Sequence, residues 1–369
     1  MEKLKLSIFD RYVFKQVFGA TLVCLFLFII VWIAPETLVR IIKKVLTEHI
    51  ALYEAFKMLA YEIPKVLSKA IPVGILLGAL FTFDSFSKSS ELSIFRGVGL
   101  SFNRIMLPVI VFGVFLSYLC FLVNDRFVPY ASKRVGEGYG YNTHFVYMVR
   151  NEDESVKQAL IISNFSQNII KNLILLNFSN SKYDDVTMYD SIIFAPSAIK
   201  YNDHWLLKNA KEYQINEYGI YTHTKEIGDY KILESEKLSN DVFGLARNST
   251  RRERSFTTDE MRGYIKLLKA QDYTDEHNFM LAKYYQRYLH PLTCILFAII
   301  GCMLGFSPPR SQRLVGFTIG IGMIFAYYIT LPFFDLLAQK SVLPPFLAAA
   351  FPIIAFIVAI FVIKKAKDL

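Results

Sequence analysis

Charge is what this chain of 369 residues has little of: Asp, Glu, Lys and Arg together make up 20% of it, and several long stretches contain none. With 53% hydrophobic residues and a mean hydropathy of +0.33, a wholly water-soluble globule of this length is excluded. Cysteine is scarce too. Cys24, Cys120, Cys294 and Cys302 all lie inside apolar runs, so they give the polar parts no disulfide framework and read as buried, inert thiols. His49, His144, His204, His223, His277 and His290 are scattered, and no Cys/His run has metal-ligand spacing, so no metal or other cofactor is expected. The chain has no GxxxxGK[ST] loop, no HExxH and no GxSxG, and therefore no sequence basis for an enzyme. Met1 to Lys15 lead into an apolar run without a small-residue cleavage site, so a cleaved signal peptide is not expected.

What is present is segregation. The net charge of +9 comes from basic residues beside apolar runs, which points to membrane lipids or an acidic ligand and away from nucleic acid. Uncharged runs cover Gln16 to Pro35, Ile105 to Asn124, Pro291 to Pro309, Leu314 to Phe334 and Ser341 to Ile363. Each is long enough, at about 1.5 Å per helical residue, to cross a hydrocarbon core of roughly 30 Å. Ala70 to Phe83 is shorter and must borrow flanking residues, giving a sixth span. Pro72, Gly74, Gly78, Pro108, Gly113, Gly316, Gly320, Gly322, Pro332 and Pro352 fall inside these spans. They read as close helix packing, with gating kinks as the alternative.

Between the third and fourth spans the period changes. Ala159 to Ile162, Leu173 to Phe178, Ile192 to Ala195 and Trp205 to Leu207 are short β-rich runs, divided by turn signals such as Ser179-Asn180 and Asn202-Asp203. An antiparallel sandwich or open barrel is expected there. Helix returns at Thr258, which with Asp259 and Glu260 makes a cap and an acidic first turn, and runs to about Ala270. A second helix from about Glu276 continues into the fourth span. The expected division is 1–125 for three spans, 126–255 for the β domain and 256–369 for connecting helices and three more spans. An even span count puts both termini on one side and the β domain on the other. Lys and Arg near the spans divide evenly between the sides, so the positive-inside bias assigns no orientation.

Two clusters carry candidate function. In the loop from Ser87 to Gly99, Ser89 or Ser90 can cap a short helix of about 88–98, Leu92, Ile94 and Phe95 offer apolar contacts, and Gly97 and Gly99 let the chain turn. It reads as a docking helix or as an interfacial turn on lipid headgroups. Arg40, Lys43 and Lys44, at the end of the first helix, share one face by their i, i+3, i+4 spacing. They either snorkel to ordinary headgroups or recognise a strongly anionic amphiphile through its phosphates.

The order of several short motifs resembles the LptF/LptG (YjgP/YjgQ) permeases of lipopolysaccharide export. They are Asp10-Arg11-Tyr12, Pro64, Ile71-Pro72 with Leu76-Leu77-Gly78, Ser90-Glu91-Leu92 with Arg96-Gly97-Val98-Gly99-Leu100-Ser101, His290-Pro291-Leu292, and Leu343-Pro344-Pro345-Phe346-Leu347-Ala348-Ala349. The Leu-Pro-Pro stretch and Arg310 to Gly316 are more similar to LptG than to LptF. The resemblance implies a six-span protein of the bacterial inner membrane with cytoplasmic termini and a periplasmic β-jellyroll. It implies an ABC ATPase dimer, a second permease of the family and a bridge protein of LptC/LptA type as partners, and lipopolysaccharide as substrate. Glu91 matches the coupling-helix glutamate, with Leu92, Ile94, Phe95 and Arg96 in support. By the same resemblance Arg40, Lys43 and Lys44 fall in the region that meets substrate phosphates in the family, and Arg126 and Arg134, just after the third span, are secondary candidates for the same role. Two other readings stay open: an ABC-type permease for another lipid or envelope substrate, and a membrane receptor or assembly protein without transport.

Overall fold

A computed structural model of the chain describes residues 8–33, 37–48, 51–137, 145–150, 156–166, 169–180, 187–201, 203–216, 220–233, 235–249, 251–306 and 314–367. It packs as two compact units. One comprises Met1–Val135, Thr257–Arg262 and Tyr273–Leu369, and the other Gly136–Phe256 and Gly263–Asp272.

The first unit is helical: α1 (Ile8–Ile33), α2 (Val39–Glu48), α3 (Leu52–Lys88), α4 (Glu91–Gly97), α5 (Phe102–Leu122), a π-helical turn (Val123–Phe127) and α6 (Val128–Glu137) lead to the β-rich segment. After it come α8 (Thr258–Ala270), divided between the units, then α9 (Thr274–Gly305), α10 (Leu314–Gln339) and α11 (Pro345–Ala366). Six helices, α1, α3, α5, α9, α10 and α11, are long and apolar enough to cross a membrane, as the uncharged runs require. The short run Ala70 to Phe83 borrows generously: α3 has 37 residues, about 55 Å of helix, so its ends project beyond any hydrocarbon layer.

The middle of α3 is the core. Ile71, Ile75, Leu76, Ala79 and Phe83 are buried against Phe297, Ile300 and Leu304 of α9. Small residues permit that approach and the one between α3 and α1, since a Cβ on Gly301 of α9 would lie 2.5 Å from the Leu76 carbonyl and one on Gly78 would lie 2.6 Å from Thr21 Cα of α1. Pro72, Pro108, Pro291, Pro332 and Pro352 all sit inside continuous helices. Apolar faces on α1, α10 and α11, including Phe26, Val31, Phe325, Ile329, Val358 and Phe361, remain exposed. A lipid environment satisfies them.

In the second unit β1 (Phe145–Arg150), β2 (Val156–Ser166), β3 (Ile169–Asn180), β4 (Thr187–Lys200), β5 (Trp205–Ile215) and β6 (Tyr221–Ile232) pair in sequence order as one antiparallel six-stranded sheet. All four expected β runs fall within it. Register aligns its apolar face: Phe145, Ile162, Leu173 and Ala195 form one cross-strand row, and Tyr147, Leu160, Leu175 and Ile193 the next, every one buried. This unit also holds a helix inside the stretch expected to be a β domain. This is α7 (Glu236–Ser249), whose Phe243 meets the Trp205 ring edge to face at 6.1 Å, while the Ser239 carbonyl accepts the Trp205 indole N–H at 3.3 Å.

The cap of α8 lies one residue earlier than expected. Thr257 accepts the Glu260 backbone N–H at 3.4 Å and Glu260 accepts the Thr257 N–H at 3.0 Å, a reciprocal capping box. Thr258 instead turns its backbone N–H and hydroxyl to Asp125 in the π-helical turn.

Candidate functional site

The loop between α3 and α5 holds a true helix, α4, but serine does not cap it. Ser90 takes the left-handed conformation, φ 60°, and makes no side-chain cap bond. The Ser89 hydroxyl lies 2.8 Å from the Glu91 carboxylate and 3.0 Å from the Ser85 carbonyl of α3, so it orients the carboxylate and caps no amide of α4. At the far end Gly99, φ 91°, donates its N–H to the Arg96 carbonyl at 2.9 Å and reverses the chain into α5.

What fixes α4 is the start of α1. Phe9 meets Phe95 edge to face at 4.8 Å, Tyr12 donates its hydroxyl to Glu91 at 2.9 Å, and Asp10 takes a bidentate contact from Arg104 of α5 at 2.7 and 2.9 Å. Leu92 is 2% exposed and belongs to the core, with Phe95 partly buried against it. The five expected coupling residues therefore divide. Leu92 and Phe95 are anchors and Glu91 is a tethered carboxylate. Ile94, 61% exposed, faces outward, and Arg96 is exposed with its guanidinium 5.5 Å from the Phe306 ring centre. Val98, 79% exposed, continues the apolar outer face. Its i, i+4 distance from Ile94 was the signal that could have found it.

The basic set differs from expectation in its helix and its pairing. Arg40, Lys43 and Lys44 are on the separate helix α2, not at the end of α1. Arg40 reaches Glu62 of α3 at 2.6 Å, and Glu62 also holds Lys65 at 3.1 Å. Lys43 is exposed, and the Lys44 side chain lies outside the described residues. Arg126 is exposed in the π-helical turn, and Arg134 on α6 stacks over Tyr130 at 5.7 Å. Residue reasoning missed Glu62, a charge four residues before Val66 in a helix otherwise read from its apolar middle. It also missed Lys69, whose ammonium lies 4.8 Å from the Trp32 ring of α1 and 6.0 Å from the Tyr328 ring of α10.

Among the described residues no group of His, Cys, Asp and Glu could hold a metal ion, and all four cysteines are buried thiols. Residues 11–365 match the model of a protein family described as "Lipopolysaccharide export system permease LptF/LptG". That description covers LptF and LptG together, so the greater similarity to LptG is not separated by it. No curated protein matches the chain.

Proposed function

The chain belongs to the LptF/LptG family of lipopolysaccharide export permeases, and from that premise we propose that it couples the work of a separate ABC ATPase dimer to extraction of lipopolysaccharide from the bacterial inner membrane. The family is one of transporter subunits, so this multi-pass membrane protein is not itself an enzyme. In this reading it pairs with a second permease of the family, keeps its termini in the cytoplasm and holds its β domain in the periplasm, where the lipid passes to a bridge protein of LptC/LptA type.

The observation that carries the reading is α4. Seven residues are too few to be stable alone, yet the helix is seated by Leu92 and Phe95, tethered through Glu91 and left with Ile94 and Val98 facing out. That is the form of a rigid element offered to another protein. The start of α1, the end of α3 and the start of α5 meet around it through Phe9, Tyr12, Phe86, Asp10 and Arg104. A push on α4 thus reaches α1 and α3 directly, and α5 through the Asp10–Arg104 pair. On the opposite side the Arg40, Lys43 and Lys44 helix, with Arg126 and Arg134 near the outer end of α5, supplies cations for the lipid's phosphates. Affinity purification from native membranes tests the coupling: an ABC ATPase co-purifies with the wild type and is lost or weakened in Glu91→Ala. Absence of any ATPase from the intact wild-type complex overturns it.

A further inference from the structure

Glu62 is an acid set among cations that the phosphate-binding reading does not use. Its side chain is 11% exposed, and its two oxygens hold different helices: Oε1 takes Arg40 Nη2 of α2, and Oε2 takes Lys65 Nζ, one turn along α3. Glu62 and Lys65 share a continuous helix. Arg40 is the outer and more accessible partner, 39% exposed, on a helix of ten residues. Its contact runs through one nitrogen, whereas a phosphate can engage the paired N–H groups of a guanidinium bidentately and carries about −1.5 to −2 charges against the carboxylate's −1.

Those relations separate a competitor from a plain tie. A carboxylate in this place keeps Arg40 and Lys65 paired when no lipid is bound, which lowers the cost of holding two cations side by side in a partly buried site. It also contests Arg40 with any arriving anion. Two cations and one anion leave the trio at +1 (2 − 1), and Lys43, one turn from Arg40, raises the local charge further. The site therefore attracts a phosphate without holding it as tightly as its cations alone would. For a transporter this matters, because a ligand bound too firmly is not released.

We propose that Glu62 is a built-in counter-ion that stands in for a lipid phosphate on Arg40, is displaced from it when a phosphorylated lipid binds, and returns to hasten release. It is a positioning residue that sets residence time and selectivity for phosphorylated lipid. The inference rests on the reading that the Arg40 set takes the substrate's phosphates.

The test uses the full chain in phosphatidylethanolamine nanodiscs loaded with fluorescent bisphosphoryl lipid A or its dephosphorylated form, with release followed after a chase of unlabelled lipid. Glu62→Gln should lengthen residence of the bisphosphoryl lipid about fivefold to tenfold, the scale of one charge-assisted contact at a half-exposed site. The dephosphorylated lipid should be unaffected, Arg40→Gln should shorten residence, and Glu62→Asp, which keeps the charge but shortens its reach, should fall between wild type and Glu62→Gln. Unchanged or faster release from Glu62→Gln, with Arg40→Gln still shortening residence, overturns the counter-ion role and leaves the phosphate reading standing. No effect of Arg40→Gln or Lys65→Gln on either lipid overturns both. If thermal unfolding shows Glu62→Gln misfolded, Glu62→Asp decides: slowed release supports the proposal, and release equal to or faster than wild type overturns it.

Discussion

Tyr12 donates its phenolic hydrogen to the Glu91 carboxylate at 2.9 Å, joining the early part of α1 to the first residue of α4 across 79 positions of chain. The Ser89 hydroxyl lies 2.8 Å from the same carboxylate. Glu91 is thus held at the first turn of α4, where a negative charge also suits the helix dipole.

Glu91→Ala removes the acceptor for both hydroxyls, whereas Glu91→Gln keeps one oxygen of the same reach. ATPase capture in native membranes is expected to fall in the order wild type, Glu91→Gln, Glu91→Ala. Tyr12→Phe should leave overall stability within about 1 kcal/mol of wild type, the worth of one net hydrogen bond. Hydrogen exchange of the α4 amides should nevertheless quicken in it.

Leu92 and Ile94 separate folding from docking. Leu92→Ala empties a site only 2% exposed and should cost about 2–5 kcal/mol, read as a lower midpoint in thermal unfolding of the detergent-solubilised protein. Ile94→Asp, at a side chain 61% exposed, should leave that midpoint nearly unchanged and abolish ATPase capture. Equal unfolding losses in both variants would show that α4 has no outer docking face.

The six spans and the sheet were legible because both rest on local patterns: uncharged length for the spans, alternating β-branched runs for the strands. The seat of α4 was not. Asp10, Tyr12, Glu91 and Arg104 meet only after α1, α3 and α5 have packed, and nothing in the spacing of residues 10 and 104 announces a bidentate pair. Arg40 shows the same limit, since its helical face was readable but its partner Glu62 lies on another helix. Helix α7 was overlooked because Leu238, Val242 and Leu245 follow directly on strand-rich sequence. Serine capping of α4 failed for a local reason, the left-handed Ser90, which the tight reversal after α3 requires.

Gly301 and Gly322 lie in spans and differ in what surrounds them. A Cβ at Gly301 meets the Leu76 carbonyl at 2.5 Å and the Ala79 Cβ at 2.9 Å, while at Gly322 nothing described lies within 4 Å. Gly301→Ala must push α9 from α3 and should cost about 1–3 kcal/mol. Gly322→Ala should be neutral or up to about 1 kcal/mol stabilising, through lower backbone entropy. Thermal unfolding of the two variants side by side checks the contrast.

Lys283 of α9 and Asp335 of α10 form a buried ion pair, with side chains 22% and 7% exposed, and Gln286 donates to the same carboxylate at 2.6 Å. Lys340 with Asp275 at 2.9 Å and Asn278 with Ser341 at 2.9 Å extend this join along the same end of α9. Because the carboxylate is nearly enclosed, Lys283→Met strands an uncompensated charge and should destabilise the fold by about 3 kcal/mol. Replacing both partners, as Lys283→Met with Asp335→Leu, removes the charge as well as its partner and should recover most of that loss. A double-mutant cycle in thermal unfolding gives the coupling directly. If the double variant unfolds no later than Lys283→Met, the pair is not what holds α10 to α9, and the packing of Phe334 and Ala338 beside Ala282 carries the join instead.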